Sequence, residues 1–193
     1  MKDLRNTYDF KKNKEYEETF TSNNTDLILD LMGADKYIDL SQTFLDVDSG
    51  IDGVAKTGKE SIGIALRIRK PQYSRYRYNF TLGHHFDKEN SQVHAILNSL
   101  RPDVLAPNFI LQINGVDENG YCKECDVIKI QTDVFAKTLN KKIKNNTLDK
   151  LYVPKLASYE FKFKDVFYET KTGVDYYYIE NNTIIKTASN DEN

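Results

Sequence analysis

The sequence predicts an α/β protein, with α+β order as the alternative: a central mixed β-sheet with helices packed outside it. Three observations carry this. Segments that alternate with period 2, above all residues 61–69, interleave with segments of helical period such as 27–32 and 93–100. Glycine, asparagine and aspartate cluster between them, where turns are expected. At 193 residues the chain is long enough to bury a substantial core as one domain.

Residues 1–14 mix charges without periodicity and read as a loosely packed segment ahead of a single domain over 15–186. Within 15–32 the spacing of Leu27, Ile28, Leu31 and Met32 is helical, with Thr25-Asp26 as N-cap and Gly33 as the C′ stop. Residues 37–44 read as extended, 46–50 as a loop and 51–55 as a short strand. A turn at 56–59 leads into a strand over 61–69. Its even positions Ile62, Ile64, Leu66 and Ile68 are apolar, and its odd positions are Ala65, Arg67 and Arg69. Pro71 ends that strand, and 75–82 alternates again, with Tyr76, Tyr78, Phe80 and Leu82 opposed to Arg75 and Arg77. A helix is expected over 91–100 and a strand over 108–116. Asp117-Glu118-Asn119-Gly120 then gives a hairpin turn, followed by a strand over 122–131. Thr132-Asp133 opens a helix through Val134, Phe135 and Leu139, with a basic turn at 141–146. Residues 155–168 read as extended, from the alternation of Tyr159, Phe161 and Phe163 with Glu160, Lys162 and Lys164. An aromatic strand at 176–179 turns through Asn181-Asn182 into 183–186, and 187–193 read as a polar, unstructured tail. The central sheet is expected to hold 51–55, 62–69, 75–82 and 109–116.

A net charge of −2 excludes a globally basic nucleic-acid-binding domain and leaves room for local basic patches. No apolar run approaches the ~20 residues needed to cross a bilayer. The first eighteen residues have no apolar core of a secretory signal, and with two cysteines the chain is expected in a reducing compartment, the cytoplasm. No membrane association is expected. Thirteen tyrosines favour a protein partner or a second copy of the chain.

The most informative stretch is 49–69. Asp52 stands at a strand end, a glycine-lysine turn follows, and the next strand ends Arg67-Ile68-Arg69. A carboxylate facing a polar triplet on a neighbouring strand is how metal-dependent nucleases hold Mg²⁺ and activate water. The order of leading helix, Asp52-bearing strand, turn, strand with Arg-x-Arg, helix and strand pair resembles the restriction-endonuclease-like, or PD-(D/E)XK, superfamily over roughly residues 15–140.

The resemblance implies that Asp52 is the first acidic ligand, for Mg²⁺ if the chain is an active nuclease. Its (D/E)-x-K triplet maps onto Ala65-x-Arg67 or Arg67-x-Arg69. Neither has the carboxylate, and arginine cannot act as a base, though it can hold a phosphate. Arg67 and Arg69 are therefore the catalytic candidates beside Asp52. A displaced second ligand would be Glu60, Glu89, Asp46 or Asp48. Arg67, Arg69, Arg75 and Arg77, interleaved with Tyr73, Tyr76 and Tyr78, form a candidate nucleic-acid-binding face for DNA. The expectation is a non-catalytic or degenerate nuclease-like protein, serving as a subunit or an assembly or accessory component encoded by a virus or mobile element, in the cytoplasm or the virion. A Mg²⁺-dependent DNA endonuclease of a restriction or defence system is the alternative.

Other signals read more plainly. Cys122-Lys123-Glu124-Cys125 has zinc spacing but no second pair, and His84, His85 and His94 could complete it only by folding beside it, so zinc is not expected. Pro102-Asp103 and Glu160-Phe161-Lys162 match the nuclease motif by letter and lie far apart in the chain. Walker A, GxGxxG, GxSxG and HExxH motifs do not occur.

Overall fold

A seven-stranded mixed sheet organises the chain in the computed structural model, which describes residues 8–40, 43, 49–70, 79–83, 92–154 and 158–192. The elements run α1 (Tyr8–Asn23), α2 (Thr25–Met32), β1 (Lys36–Asp39), β2 (Gly53–Thr57), β3 (Glu60–Arg69), β4 (Asn79–Gly83), α3 (Gln92–Asn98), β5 (Phe109–Asn114) and β6 (Glu124–Gln131). They continue with α4 (Thr132–Lys144), a 3₁₀ turn (Leu148–Leu151), β7 (Tyr152–Val153), β8 (Ser158–Lys162), α5 (Phe163–Thr170), β9 (Val174–Glu180), β10 (Thr183–Ser189) and a last 3₁₀ turn (Asn190–Glu192). The main sheet has the order β1-β2-β3-β5-β6-β9-β10. Within it β3 and β5 are parallel and every other neighbouring pair is antiparallel. The expected α/β class, a mixed sheet flanked by helices, holds.

Two apolar layers follow from strand alternation. On one side Phe20 of α1 and Leu27, Ile28 and Leu31 of α2 pack on Ile64, Leu111, Ile113 and Val127. Gly33 (φ +59) closes α2 as expected, its N–H and that of Ala34 donating to the carbonyls of Asp30 and Leu29. On the other side α3, α4 and α5 cover Ala65, Ile110, Ile128 and Ile130. Phe80, Phe135 and Phe161 meet there, with Phe135 edge-on to each of the other two at 5.2 and 5.4 Å between ring centroids. Burying one such ring contributes ~1.5–3 kcal/mol. Ile62, Leu66 and Ile68 lie with the α1/α2 layer and Ala65 with the opposite one, as the period of β3 requires.

Four expectations need correction. First, β4 does not join the main sheet. It pairs with β8, and β8 with β7, in a separate three-stranded antiparallel sheet. Alternation marks a strand without naming its partner, and here Phe80 and Leu82 reach the core from the crossover between parallel β3 and β5. Second, 163–168 is helical: the chain leaves β8 at Lys162 and buries Val166 from α5. Third, helix α1 begins at Tyr8 and α4 runs on to Lys144, so part of 1–14 and of the 141–146 turn is helix. Fourth, the 187–193 tail is ordered through Glu192. Residues 187–189 pair with β9, and buried Asn190 accepts from the Val174 N–H and donates to the Phe167 carbonyl. The β9–β10 hairpin turns at Asn181 (φ +48) and Asn182 (φ +60), the pair of left-handed residues a tight two-residue turn demands. Along β10 the register slips between Ile184 and Lys186, leaving Ile185 bulged and 56% exposed at the edge of the sheet.

Candidate functional site

The geometry around Asp52 follows from where β2 starts. Gly53 is the first β2 residue and ends the ladder to β3, opposite Ile64. Beyond it the Leu66 N–H faces no strand, and the Asp52 carboxylate takes its place, Oδ2 accepting that N–H at 2.6 Å. The Asp52 N–H in turn donates to the Ile64 carbonyl at 2.9 Å. Asp52 is thus held by backbone at both ends.

On β3, Ala65, Arg67 and Arg69 lie in register with Ile110, Gln112 and Asn114 of β5, and Asn114 with Asp126 of β6. These residues form a polar band on the α3–α5 side of the sheet, in which Gln112, Asn114 and Asp126 are buried. Gln112 Nε2 donates to Asn114 Oδ1 at 3.3 Å, and the Tyr176 hydroxyl donates to Asp126 Oδ1. Arg67 sets its guanidinium 5.8 Å from the Phe80 ring centroid, and its Nε is shut off from solvent. Burial draws the Arg67 pKa down to about 10, with Asp52 opposing and Arg69 adding to the fall. Arg67 is still a cation at neutral pH.

A cleft of about 240 Å³ opens at this edge. Glu17 of α1, Asp52, Leu66 and Arg67 line it with Ile96 of α3 and Pro107. Glu17 was not evident from the sequence; its one signal is that it flanks Tyr16 and Phe20, the inward positions of α1. Tyr37 is a second residue that sequence reasoning missed. Its ring lies over Gly53, where an added Cβ would stand 2.0 Å from the Tyr37 hydroxyl oxygen. Burial, then Asp39 and Asp52, push the Tyr37 hydroxyl well above the usual tyrosine range.

Of the other candidates, Glu60 is exposed at the hairpin end, paired with Thr57. It lies five residues from Ala65 on β3, roughly 16 Å at strand rise, so it does not share the cleft with Asp52. Asp46, Asp48, Arg75, Arg77, His84, His85 and Glu89 lie outside the described residues. Asp103 pairs with Arg101 at 2.8 Å in the α3–β5 connection, whereas Glu160 stands on β8 of the small sheet, so the two literal motif fragments belong to different elements. Cys122 and Cys125 are buried in the α1/α2 layer without a disulfide between them, and His94 is exposed on α3 across the sheet from them.

A hard divalent cation takes six or more oxygens. Asp52 Oδ2 accepts the Leu66 N–H, the Ala65 side chain supplies no oxygen, and Glu17 is the other described carboxylate lining the cleft. Among the described residues no three of His, Cys, Asp and Glu converge in a metal-holding group. The residues lining the cleft present a guanidinium beside a backbone-bound carboxylate, an arrangement able to hold an anionic oxygen. No helix among the described residues is long and apolar enough to cross a membrane. Compared with family models, with curated proteins and with solved structures, the chain matches none.

Proposed function

We propose that this chain is a degenerate member of the restriction-endonuclease-like superfamily, used as a subunit or as an assembly or accessory component rather than as a nuclease. The observation that carries the reading is Ala65 beside Asp52. Where the family places the second carboxylate, β3 has a methyl group, and one Asp52 oxygen accepts the Leu66 N–H. The order of helix, Asp52, β2, hairpin, β3, α3 and the β5–β6 pair supports the family assignment. In this reading Arg67 and Arg69 are remnants of the phosphate-holding side of a site and candidates for the DNA contact, and Arg75 and Arg77, outside the described residues, are further candidates by sequence. The protein acts in the cytoplasm, or in a virion if a virus encodes it, with a protein partner or a second copy.

One observation favours the alternative, a Mg²⁺-dependent DNA endonuclease of a restriction or defence system. Glu17 lines the Asp52 cleft and would serve as the displaced ligand. A plasmid-nicking assay with Mg²⁺ or Mn²⁺ separates the two. No cleavage by the native chain is expected. Metal-dependent cleavage that disappears in Asp52→Ala overturns the proposal in favour of the nuclease. Cleavage that survives the substitution also overturns it and makes Glu160 and Lys162 the next residues to replace.

A further inference from the structure

A second cleft, this one cationic, lies at the far end of α4, where α4 and α5 both finish. It has a volume of about 340 Å³ and is lined by Lys141, Lys142, Asn145, Tyr168, Glu169 and Lys171, among others. Its one lining carboxylate, Glu169, is engaged by Lys142 at 2.6 Å, a pair that ties α4 to α5. Lys141 and Lys171 have no ion-pair partner among the described residues, so the cleft keeps an excess of positive charge in a chain of net charge −2. Lysines in the last turn of a helix also answer the negative end of its dipole, which accounts for those on α4. It does not account for Tyr168.

Tyr168 is 65% exposed, yet its ring is supported. Phe167 meets it edge-on at 5.6 Å between centroids, and the Lys164 ammonium stands 5.9 Å from its centre. Lys171 closes α5 in the left-handed region at φ +65, a conformation that suits glycine, and there a cation lines the cleft. A solvent-facing aromatic ring bracketed by unpaired cations is the arrangement that stacks a base and holds the phosphates on either side of it.

We infer that this cleft seats a segment of single-stranded nucleic acid, one base stacked on Tyr168 and its flanking phosphates on Lys141 and Lys171. The inference is independent of the Asp52 cleft and of the function proposed for it, and it uses none of the arginines on β3.

The test is a fluorescence-anisotropy titration of the full chain with labelled oligo(dT), across a salt series and beside a duplex of equal length. Oligo(dT) should bind more tightly than the duplex. Lys141→Glu/Lys171→Glu should weaken binding at least about tenfold and lower the salt slope by about two. Tyr168→Ala should weaken it about tenfold, and Tyr168→Phe, which keeps the ring face, should bind like the native chain. Lys59→Glu, on the distant β2–β3 turn, supplies a charge control, and circular dichroism melts confirm that each variant is folded. Failure to bind oligo(dT) at low salt overturns the inference, as does binding unchanged in the double lysine variant or reduced equally by Lys59→Glu. Equal binding by Tyr168→Ala overturns the stacking assignment. Binding to phosphatidylserine vesicles in place of oligo(dT) overturns the choice of ligand. Loss of binding in Arg67→Glu/Arg69→Glu with the lysine variants unaffected overturns this site while leaving the Asp52 reading in place.

Discussion

Arg67 and the lysines at the end of α4 carry the same charge in different solvents. α4 starts beside Asn108, next to the Asp52 cleft, and its thirteen residues set the two sites about 20 Å apart. Arg67 is sealed at Nε, opposed by Asp52 and set over a buried ring, so its charge is part of what holds the sheet edge together. Lys141 and Lys171 are exposed, and the fold does not depend on where their ammonium groups point. A half-buried cation that loses its sign leaves Asp52 facing a like charge, whereas an exposed one loses an interaction that water and salt had already weakened.

The contrast breaks most visibly under charge reversal. Arg67→Glu places a second carboxylate beside Asp52 and should cost about 3–5 kcal/mol in urea denaturation. Lys141→Glu should stay within about 0.5 kcal/mol of the native chain. Equal effects for the two would erase the distinction. A smaller effect sharpens it from the acidic side. Asp52→Ala strands the Leu66 N–H and should cost about 2 kcal/mol, while Asp52→Asn keeps an acceptor and should cost less. If both cost the same in denaturant titrations, the charge of Asp52 matters and the hydrogen bond does not.

The smallest effect concerns Asp117, a carboxylate held by a turn rather than by a strand. The Tyr121 N–H pulls its pKa below the usual carboxylate range; partial burial opposes this, and Lys123 and the Asn119 N–H reinforce it. The unfolded chain then binds the proton more tightly than the folded one. The ionised group therefore stabilises the fold above about pH 4, and that contribution fades as pH falls through the lower folded value. Asp117→Ala should lose about 1 kcal/mol at neutral pH, and the gap between the two proteins should close in acid melts. A constant gap would show that the turn, not the charge, is what the residue supplies.

What could be read in advance divides along physical lines. The faces of β3 were legible because residues 62–69 alternate without a break, and each side chain's layer follows from its parity. The place of β4 was not, because pairing with β8 joins segments about eighty residues apart and leaves no local mark. α5 was hidden by Tyr159, Phe161 and Phe163, whose alternation runs past the point where the chain turns helical. The tail was hidden for the opposite reason. An edge strand needs backbone pairing more than apolar side chains, and the sequence 183–189 is mostly polar. At the site, Asp52 stood out from its strand-end position. Glu17 and Tyr37 did not, since each reaches Asp52 only through packing: one from a helix across the sheet edge, the other over a glycine on the next strand.

The slipped register at Ile185 has a consequence for how this molecule meets others. A sheet with a straight, unpaired margin invites another chain to dock there as one more strand and so to grow without limit. Both margins here are poor templates. β1 offers four residues ending in charges, Lys36 and Asp39. β10 is kinked at its bulge and carries Lys186 just beyond it. Fibre-like extension by strand addition is therefore discouraged at either side of this sheet.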